Sequence, residues 1–503
     1  MDPLLYRRQF LLARHALPEL GGWQRHAVGG LTLYCHPDLA VAEQRDGTRT
    51  LILLGYLFDA QTPEKQNRDI LADVVERARS FNEVILALKP YAGQYVLIYH
   101  EDSVFKLLQD ALALREVYYC TIPNRVVAAS QPNFLAAYSE PRIETSRDPE
   151  VVAFYEQHMP KVRERRLWAG DRTYYDSIKH LLPNHCLDLN CGTVSRYWPN
   201  TPLPERSLYE VVDRGCRFLQ GMLRAVTHRH SVMMAVTSGT DSRTLLAASR
   251  AVCSQIYYFI NDRGQFHRRS ADLVIPQRIF RRINLPFHVH QVPGTVDAAF
   301  RRTFFENTFL AREKLLPTIY NVYGKQHGDK VNLLGVGEIG RALWGFEPKQ
   351  LSAYYLAYFM RYKNSAYATR QYDAWLQEVR PVAQQYKLDI MTLLLWEQLL
   401  GNWGSVGNSE SDIAIEECDP YNSHYMYETL LGVEESVKKD PHAIFRGMLR
   451  RMWPELLEFP INPPDSIGDW ASLVLQRVRI YPILKTLRYQ LNYTLYRRRA
   501  GSR

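Results

Sequence analysis

The sequence predicts an α/β protein in two parts. An α+β sandwich spans residues 1–200, and a doubly wound parallel sheet with a helical C-terminal part spans residues 201–503. Three observations predict this. Short apolar runs separated by turn residues crowd the first 130 positions. From residue 208, strand-like and helix-like segments alternate. Beyond about residue 350 the pattern is mainly helical.

In the first part, strands are expected at 31–35, 50–57, 94–99, 104–108, 117–120 and 126–129, with helices at 67–79 and 131–138. Glu101 with Asp102 and Pro123 with Asn124 supply turn signals between them. In the second part, Val211, Val212, Phe218, Leu219, Met222, Leu223 and Val226 keep a helical period. A buried strand follows at 232–236, then a helix at 243–250 that offers Leu245, Leu246 and Ala248 for packing. Strands at 255–260, 287–292 and 331–334, with a helix at 270–283, complete the alternation expected of a doubly wound sheet.

The chain has 503 residues, 46% hydrophobic and 23% charged, the profile of a folded globular protein with a large core. No run reaches the roughly 18 apolar residues of a membrane helix, and the first residues lack the order of a signal peptide. Seven cysteines without framework spacing imply reduced thiols and a cytoplasmic setting; Cys186 and Cys191 form no zinc site. The net charge of +9 gathers at Arg163 to Arg166, Arg278 to Arg282 and Arg497 to Arg499. Such clusters are usually solvated surface, although the basic, tyrosine-rich stretch 478–503 also suits a peripheral helix or a membrane-surface contact.

The turn after the 232–236 strand carries the most chemistry. Thr237, Ser238, Gly239, Thr240, Asp241 and Ser242 join a buried strand to a helix start. That arrangement aims backbone N–H groups and a positive dipole end at one point, a place for an anion such as pyrophosphate. Asp241 would repel a phosphate, so its task there is to hold Mg²⁺.

These residues resemble the pyrophosphate-binding loop of the asparagine synthetase superfamily, whose pattern is Ser-Gly-Gly-Xaa-Asp-Ser. Thr237 replaces the first serine and keeps the hydroxyl. Ser238 replaces the first glycine, a change that matters only where a positive φ is needed. The resemblance reaches the first part too. Ala92, Gly93, Gln94 and Tyr95, the stretch 109–119, and the stretch 178–185 closed by Arg196, Tyr197, Trp198 and Pro199 are similar to the class II glutamine amidotransferase domain that precedes the synthetase domain. Glutamine-hydrolysing members use a cysteine exposed after Met removal. Here Asp2 stands at that place and Cys35 lies inside an expected strand, so the resemblance implies a structural remnant, with nitrogen from ammonia or a substrate amine.

For the second part the resemblance implies bound ATP and Mg²⁺. Thr237, Ser238, Gly239, Thr240 and Ser242, with Gly335 and Gly337 of a second turn, would surround the phosphates. Asp241 and Glu338 would share the metal, and Asn261 would lie beside the adenine. Arg243 and Arg341 would counter phosphate charge. Glu416, in the stretch 415–422, would act as a base near the acceptor. The family's late lysine has no counterpart: Pro460, Ile461, Asn462, Pro463 and Pro464 occupy its place, with Lys485 further on as a substitute.

The implied activity is an AMP-forming amide ligase without its own glutaminase, similar to the asparagine-synthetase-related proteins of surface-polysaccharide or secondary-metabolite pathways. Its partners would be a carboxylate substrate and an amine donor, and a homodimer is compatible with the sequence. A catalytically silent nucleotide-binding relative is the second reading, supported by the missing lysine and cysteine. A nucleic-acid-modifying adenylase is the third; the net charge favours it, and the amidotransferase-like front half opposes it.

Overall fold

The structure, a computed structural model, describes residues 2–122, 125–340, 351–464, 489–490 and 492–494. Its first part is built on two six-stranded antiparallel sheets. One sheet holds Gln24–Val28, Leu31–Cys35, Phe10–Ala13, Arg125–Ala129, Tyr118–Ile122 and Lys179–His180, in that spatial order. The other holds Val41–Asp46, Arg49–Phe58, Ala92–Glu101, Val104–Gln109, His185–Asp188 and Val194–Arg196.

Side-chain alternation explains why the run Leu51, Ile52, Leu53, Leu54 is apolar throughout. Ile52 and Leu54 face the other sheet with Phe10, Leu33 and Ile98. Leu51 and Leu53 face the helices Asn67–Arg77 and Phe81–Leu88, where they meet Ile70, Leu71 and Val74. Both faces are covered, so both are apolar. The first helix ends at Arg77 rather than at 79, because Ala78 is already extended.

The amphipathic helix Leu208–Arg229 leads into a five-stranded sheet. Its order is His288–Gln291, Ile256–Asp262, Val232–Ala235, Val331–Leu333, Glu416–Cys418, and every neighbouring pair is parallel. The first strand in sequence lies in the middle, so the chain winds outward first to one side and then to the other. Val232 and Met234 pack among residues of the helices Leu208–Arg229, Thr240–Ala248 and Ala443–Met452, while Met233 joins Phe259 and Ile415 on the opposite face. The expected alternation is present, with one addition: the three-residue strand Glu416–Cys418 falls inside the region that the pattern reads as helical.

The two parts are stitched by buried polar groups. Asp110 accepts hydrogen bonds from the backbone N–H groups of Tyr95, Leu112, Leu114 and Arg115, and from the side-chain amide of Asn422 at 2.8 Å. Near the chain's end, Tyr489 stacks against Tyr493, with Tyr354, Tyr355 and Tyr358 around them. Tyr489 is therefore buried rather than offered to a membrane surface. The rest of the expected peripheral stretch, Lys485 and Arg497 to Arg499 included, lies outside the described residues. Among the described residues no helix is long and apolar enough to cross a membrane.

Candidate functional site

A doubly wound sheet opens a crevice where its winding reverses, at the carboxyl ends of the two strands flanking the reversal. Here those strands are Val232–Ala235 and Val331–Leu333. The turn 237–242 leaves the first, and the turn with Gly335 and Gly337 leaves the second. The topology thus brings the two expected turns together.

The helix after the first turn starts at Thr240, capped by Gly239, three residues earlier than the apolar pattern suggests. Asp241 and Ser242 consequently lie in its first turn, where N–H groups lack intrahelical acceptors and the dipole is positive. The turn is closed by its own hydroxyls. The Thr237 N–H donates to Ser242 Oγ at 3.2 Å, the two hydroxyls are 3.1 Å apart, and the Gly239 N–H donates to Thr237 Oγ1 at 3.1 Å. Thr237 can therefore replace a serine. A Cβ on Gly239 would come within 3.0 Å of that Thr237 oxygen.

Ser238 is not in the left-handed region, so its Cβ brings no backbone strain. Its N–H and its hydroxyl both donate to Asp272 Oδ1, at 2.9 and 2.7 Å. The amides of Thr237, Ser238 and Gly239, expected to face an anion, are thus spent on side-chain oxygens of the protein. The first turn of the helix is what remains for one.

Gly335 and Gly337 lie against Asp241. A Cβ on Gly337 would come within 2.6 Å of Asp241 Oδ1 and 3.1 Å of the Phe445 ring; one on Gly335 would meet Leu245 at 3.2 Å. Only glycine permits this approach. Glu338, one residue on, is exposed at the start of the short turn Glu338–Gly340. Arg341 lies outside the described residues.

A buried acid, Asp419, lies near the half-buried Asp241. It follows the strand Glu416–Cys418 at the carboxyl edge of the sheet. Its Oδ1 accepts the Tyr421 N–H at 3.1 Å and the Val336 N–H at 3.4 Å. Its Oδ2 is buried with no hydrogen-bond partner among the described residues. Burial pushes the Asp419 carboxyl up to about 8, and the nearby Asp241 charge adds to the rise. A divalent cation beside these two carboxylates would satisfy the orphaned oxygen and relieve the repulsion. Hard oxygen donors suit Mg²⁺. The residues present therefore fit the metal.

Two expected roles are corrected by placement. Glu416 begins its strand and so lies at the amino edge of the sheet, away from the crevice. It is held by Arg8 at 2.8 Å and Arg115 at 2.7 Å, both from the sandwich part; it joins the two parts and is not at hand as a base. Arg243 is fully buried, and its guanidinium donates to the carbonyls of Leu456, Phe459 and Pro460 and to that of Ser238. Four carbonyls take the Nη donors expected to face phosphate, while Nε is buried with no hydrogen-bond partner among the described residues, and burial lowers the pKa to about 10. What Arg243 does is hold the 456–462 segment over the loop, where the Asn462 N–H also donates to the Ser238 carbonyl at 3.1 Å. The segment expected to lack the family lysine thus does run beside the loop.

Asn261 stands at the end of the strand Ile256–Asp262. Its side chain bonds His290 Nδ1 at 3.0 Å and lies 3.4 Å from the Tyr323 hydroxyl. Sequence reasoning missed Asp272 and Asp419. An acid between an apolar strand end and Pro420 was the available signal for Asp419.

The raised carboxyls carry a testable pH dependence. Asp419 is raised from 3.8 to about 8, and neighbouring Glu417, also buried, from 4.5 to about 7. Both therefore bind protons more tightly folded than unfolded. Their contribution to stability is complete below pH 4 and is lost as pH rises through 7 to 8. The thermal midpoint of metal-free protein is expected to fall between pH 6 and 9, and Asp419→Asn to flatten part of that fall. A differential scanning fluorimetry series with equal slopes for both proteins would count against it.

No family model matches the sequence, and no curated protein matches it. Among solved structures, the glutamine phosphoribosylpyrophosphate amidotransferase from B. subtilis, complexed with ADP and GMP, is 12% identical, with 51% of this chain and 60% of that one covered and a TM-score of 0.23. The chain thus spans less than two thirds of that enzyme. An allosteric regulatory enzyme of purine biosynthesis is 14% identical over 60% of this chain and 73% of its own, with a TM-score of 0.25. An NH3-dependent NAD synthetase from Campylobacter jejuni is 13% identical over 41% of this chain and 96% of its own, with a TM-score of 0.23. Likenesses this weak add no functional weight. The crevice stands on its own geometry.

Proposed function

We propose that this chain is an ATP-dependent, AMP-forming amide ligase that works without a glutaminase of its own. The observation that carries this reading is the pair Asp241 and Asp419. These two acids lie near each other at the reversal of a parallel sheet, beside a helix N-terminus, and Asp419 Oδ2 is buried with no hydrogen-bond partner among the described residues.

In this reading a carboxylate oxygen of the substrate bonds to the α-phosphorus of ATP, and pyrophosphate leaves. An amine nitrogen then attacks the acyl carbon, loses its proton, and AMP departs. The first turn of the Thr240–Ala248 helix would bind the departing anion through its N–H groups and dipole. Asp241 and Asp419 would hold Mg²⁺, which when bound supplies neutralising charge at the phosphates. Gly335 and Gly337 would let the second turn close on the loop, and the Phe445 ring beside Gly337 would exclude water. Cys35 is fully buried and its thiol is pushed up by burial, in keeping with ammonia or a substrate amine as the nitrogen source.

The Asp272 carboxylate on the Ser238 amide, together with the lysine-free 460–464 segment beside the loop, favours a second reading: a relative that binds nucleotide without turnover. Pyrophosphate release from ATP with Mg²⁺ and a panel of carboxylates separates the two. Carboxylate-dependent release supports the ligase. Saturable nucleotide binding with no release supports the silent relative, and failure to bind Mg²⁺-ATP overturns both.

A further inference from the structure

At the 237–242 turn the protein makes, with a side chain of its own, the kind of contact a phosphate would make. Asp272 lies in the first turn of the helix Ala271–Arg282. That helix follows the strand Ile256–Asp262, the parallel neighbour of Val232–Ala235, so it starts at the same carboxyl edge of the sheet as the turn. Asp272 Oδ1 accepts both the Ser238 N–H, at 2.9 Å, and the Ser238 hydroxyl, at 2.7 Å. A backbone amide and a hydroxyl converging on one charged oxygen is how such a turn grips an anion. The carboxylate holds donors that a phosphate oxygen would use.

The amides of the turn differ in what holds them. Thr237 and Gly239 donate to neutral hydroxyls of the turn itself, those of Ser242 and Thr237, which do not repel an incoming anion. Ser238 donates to a full negative charge, and that charge belongs to another helix. Phosphates arriving at the N-terminus of Thr240–Ala248 meet it at close range, where like charges in a partly dry crevice repel. Either the loop or the carboxylate must give way. The loop is pinned: the Ser238 carbonyl accepts from the Arg243 guanidinium at 3.3 Å and from the Asn462 N–H at 3.1 Å, and Ser238 is buried. The Asp272 side chain is only half-buried, and its place in the first turn of a helix still favours a carboxylate after it turns away.

We propose that Asp272 is a displaceable internal anion, which occupies the Ser238 donors until phosphates drive it off and so sets the affinity of the crevice for nucleotide. The inference rests on the nucleotide reading of the crevice and holds for both of its forms, with turnover or without. The contrary role is a permanent brace. A brace keeps its two hydrogen bonds when ligand is bound, and removing it loosens the loop and weakens binding.

Calorimetric titration of the intact protein with Mg²⁺-ATP and with Mg²⁺-pyrophosphate tests it. Asp272→Ala is expected to tighten both by about tenfold or more, since the ligand then no longer competes with two charge-assisted hydrogen bonds. Asp272→Asn keeps the shape and an acceptor oxygen but loses the repelling charge, and should gain about threefold or more. Melting curves show whether each variant is folded, and Asp272→Asn decides the matter if Asp272→Ala is not. A crystal structure with Mg²⁺-pyrophosphate is expected to show the Asp272 carboxylate out of hydrogen-bond reach of Ser238, with a phosphate oxygen on the Ser238 donors. Wild-type binding with equal or weaker binding in the folded variants, or an Asp272 carboxylate still on Ser238 in the complex, would overturn the inference and leave the nucleotide reading standing. No binding of Mg²⁺-ATP by any of the three proteins would overturn the nucleotide reading itself, and the inference with it.

Discussion

Asp241→Asn is expected to lower ATP-dependent pyrophosphate release by about a thousandfold or more, the scale of losing an electrostatic group aimed at developing charge. The substitution keeps the shape of the side chain, so the close approach of Gly337 and the helix start at Thr240 survive it. What it removes is one of two negative charges facing the cation. Asp419→Asn should act the same way with one difference. Its carboxyl is pushed up to about 8 by burial and by Asp241, so the wild-type site must release a proton to take Mg²⁺ near neutrality. Mg²⁺ affinity is accordingly expected to rise with pH between 6 and 9 in the wild type, and that rise should be blunted in Asp419→Asn. Calorimetric titration of Mg²⁺ and nucleotide in two buffers of different ionisation enthalpy reports the proton directly. Undiminished pyrophosphate release in Asp241→Asn would end the ligase reading.

Arg243→Met should act on stability first. The guanidinium is fully buried and satisfies four carbonyls, three of them in the 456–460 segment. Stripping the donors leaves those carbonyls unpaired, at a cost of about 3–5 kcal/mol. At roughly 2–4 °C per kcal/mol for a sizeable domain, the thermal midpoint should drop by roughly 6–20 °C. Arg243→Lys should recover little, since an ammonium cannot reproduce the planar fork. Were Arg243 instead a phosphate partner, the variant would melt near the wild-type temperature and show its defect in the Michaelis constant for ATP. Melting curves and kinetics on one preparation decide between the two.

Much of the framework was legible in the sequence because it depends on local pattern. The strand Leu31–Cys35 has the expected bounds, and Arg49–Phe58, Ala92–Glu101, Val232–Ala235 and Val331–Leu333 fall where apolar runs placed them. Such segments are buried by their own composition, whatever their neighbours. The strand Glu416–Cys418 was not legible. Three residues, two of them acids, carry no period, and only pairing with Val331–Leu333 makes them a strand. Glu417 survives there by accepting from the Asn332 side chain at 3.1 Å, a partner 85 residues away. Two short, polar strands of the first sheet's edges, Gln24–Val28 and Lys179–His180, are of the same kind.

The candidate site divides along the same line. Small hydroxyl and glycine residues ending in Asp241 and Ser242 mark a strand-to-helix turn, because a tight turn at a helix start restricts which residues can stand there. By itself, then, the sequence determined the α/β build, the strand-to-helix turn and the glycines of its partner turn. Only the tertiary structure decided which acid accompanies Asp241, where the Ser238 amide is spent, and that Arg243 and Glu416 are braces. Those outcomes depend on side chains from distant strands meeting in a dry interior, where an unpaired charge or donor is costly and each group takes whatever partner the fold delivers.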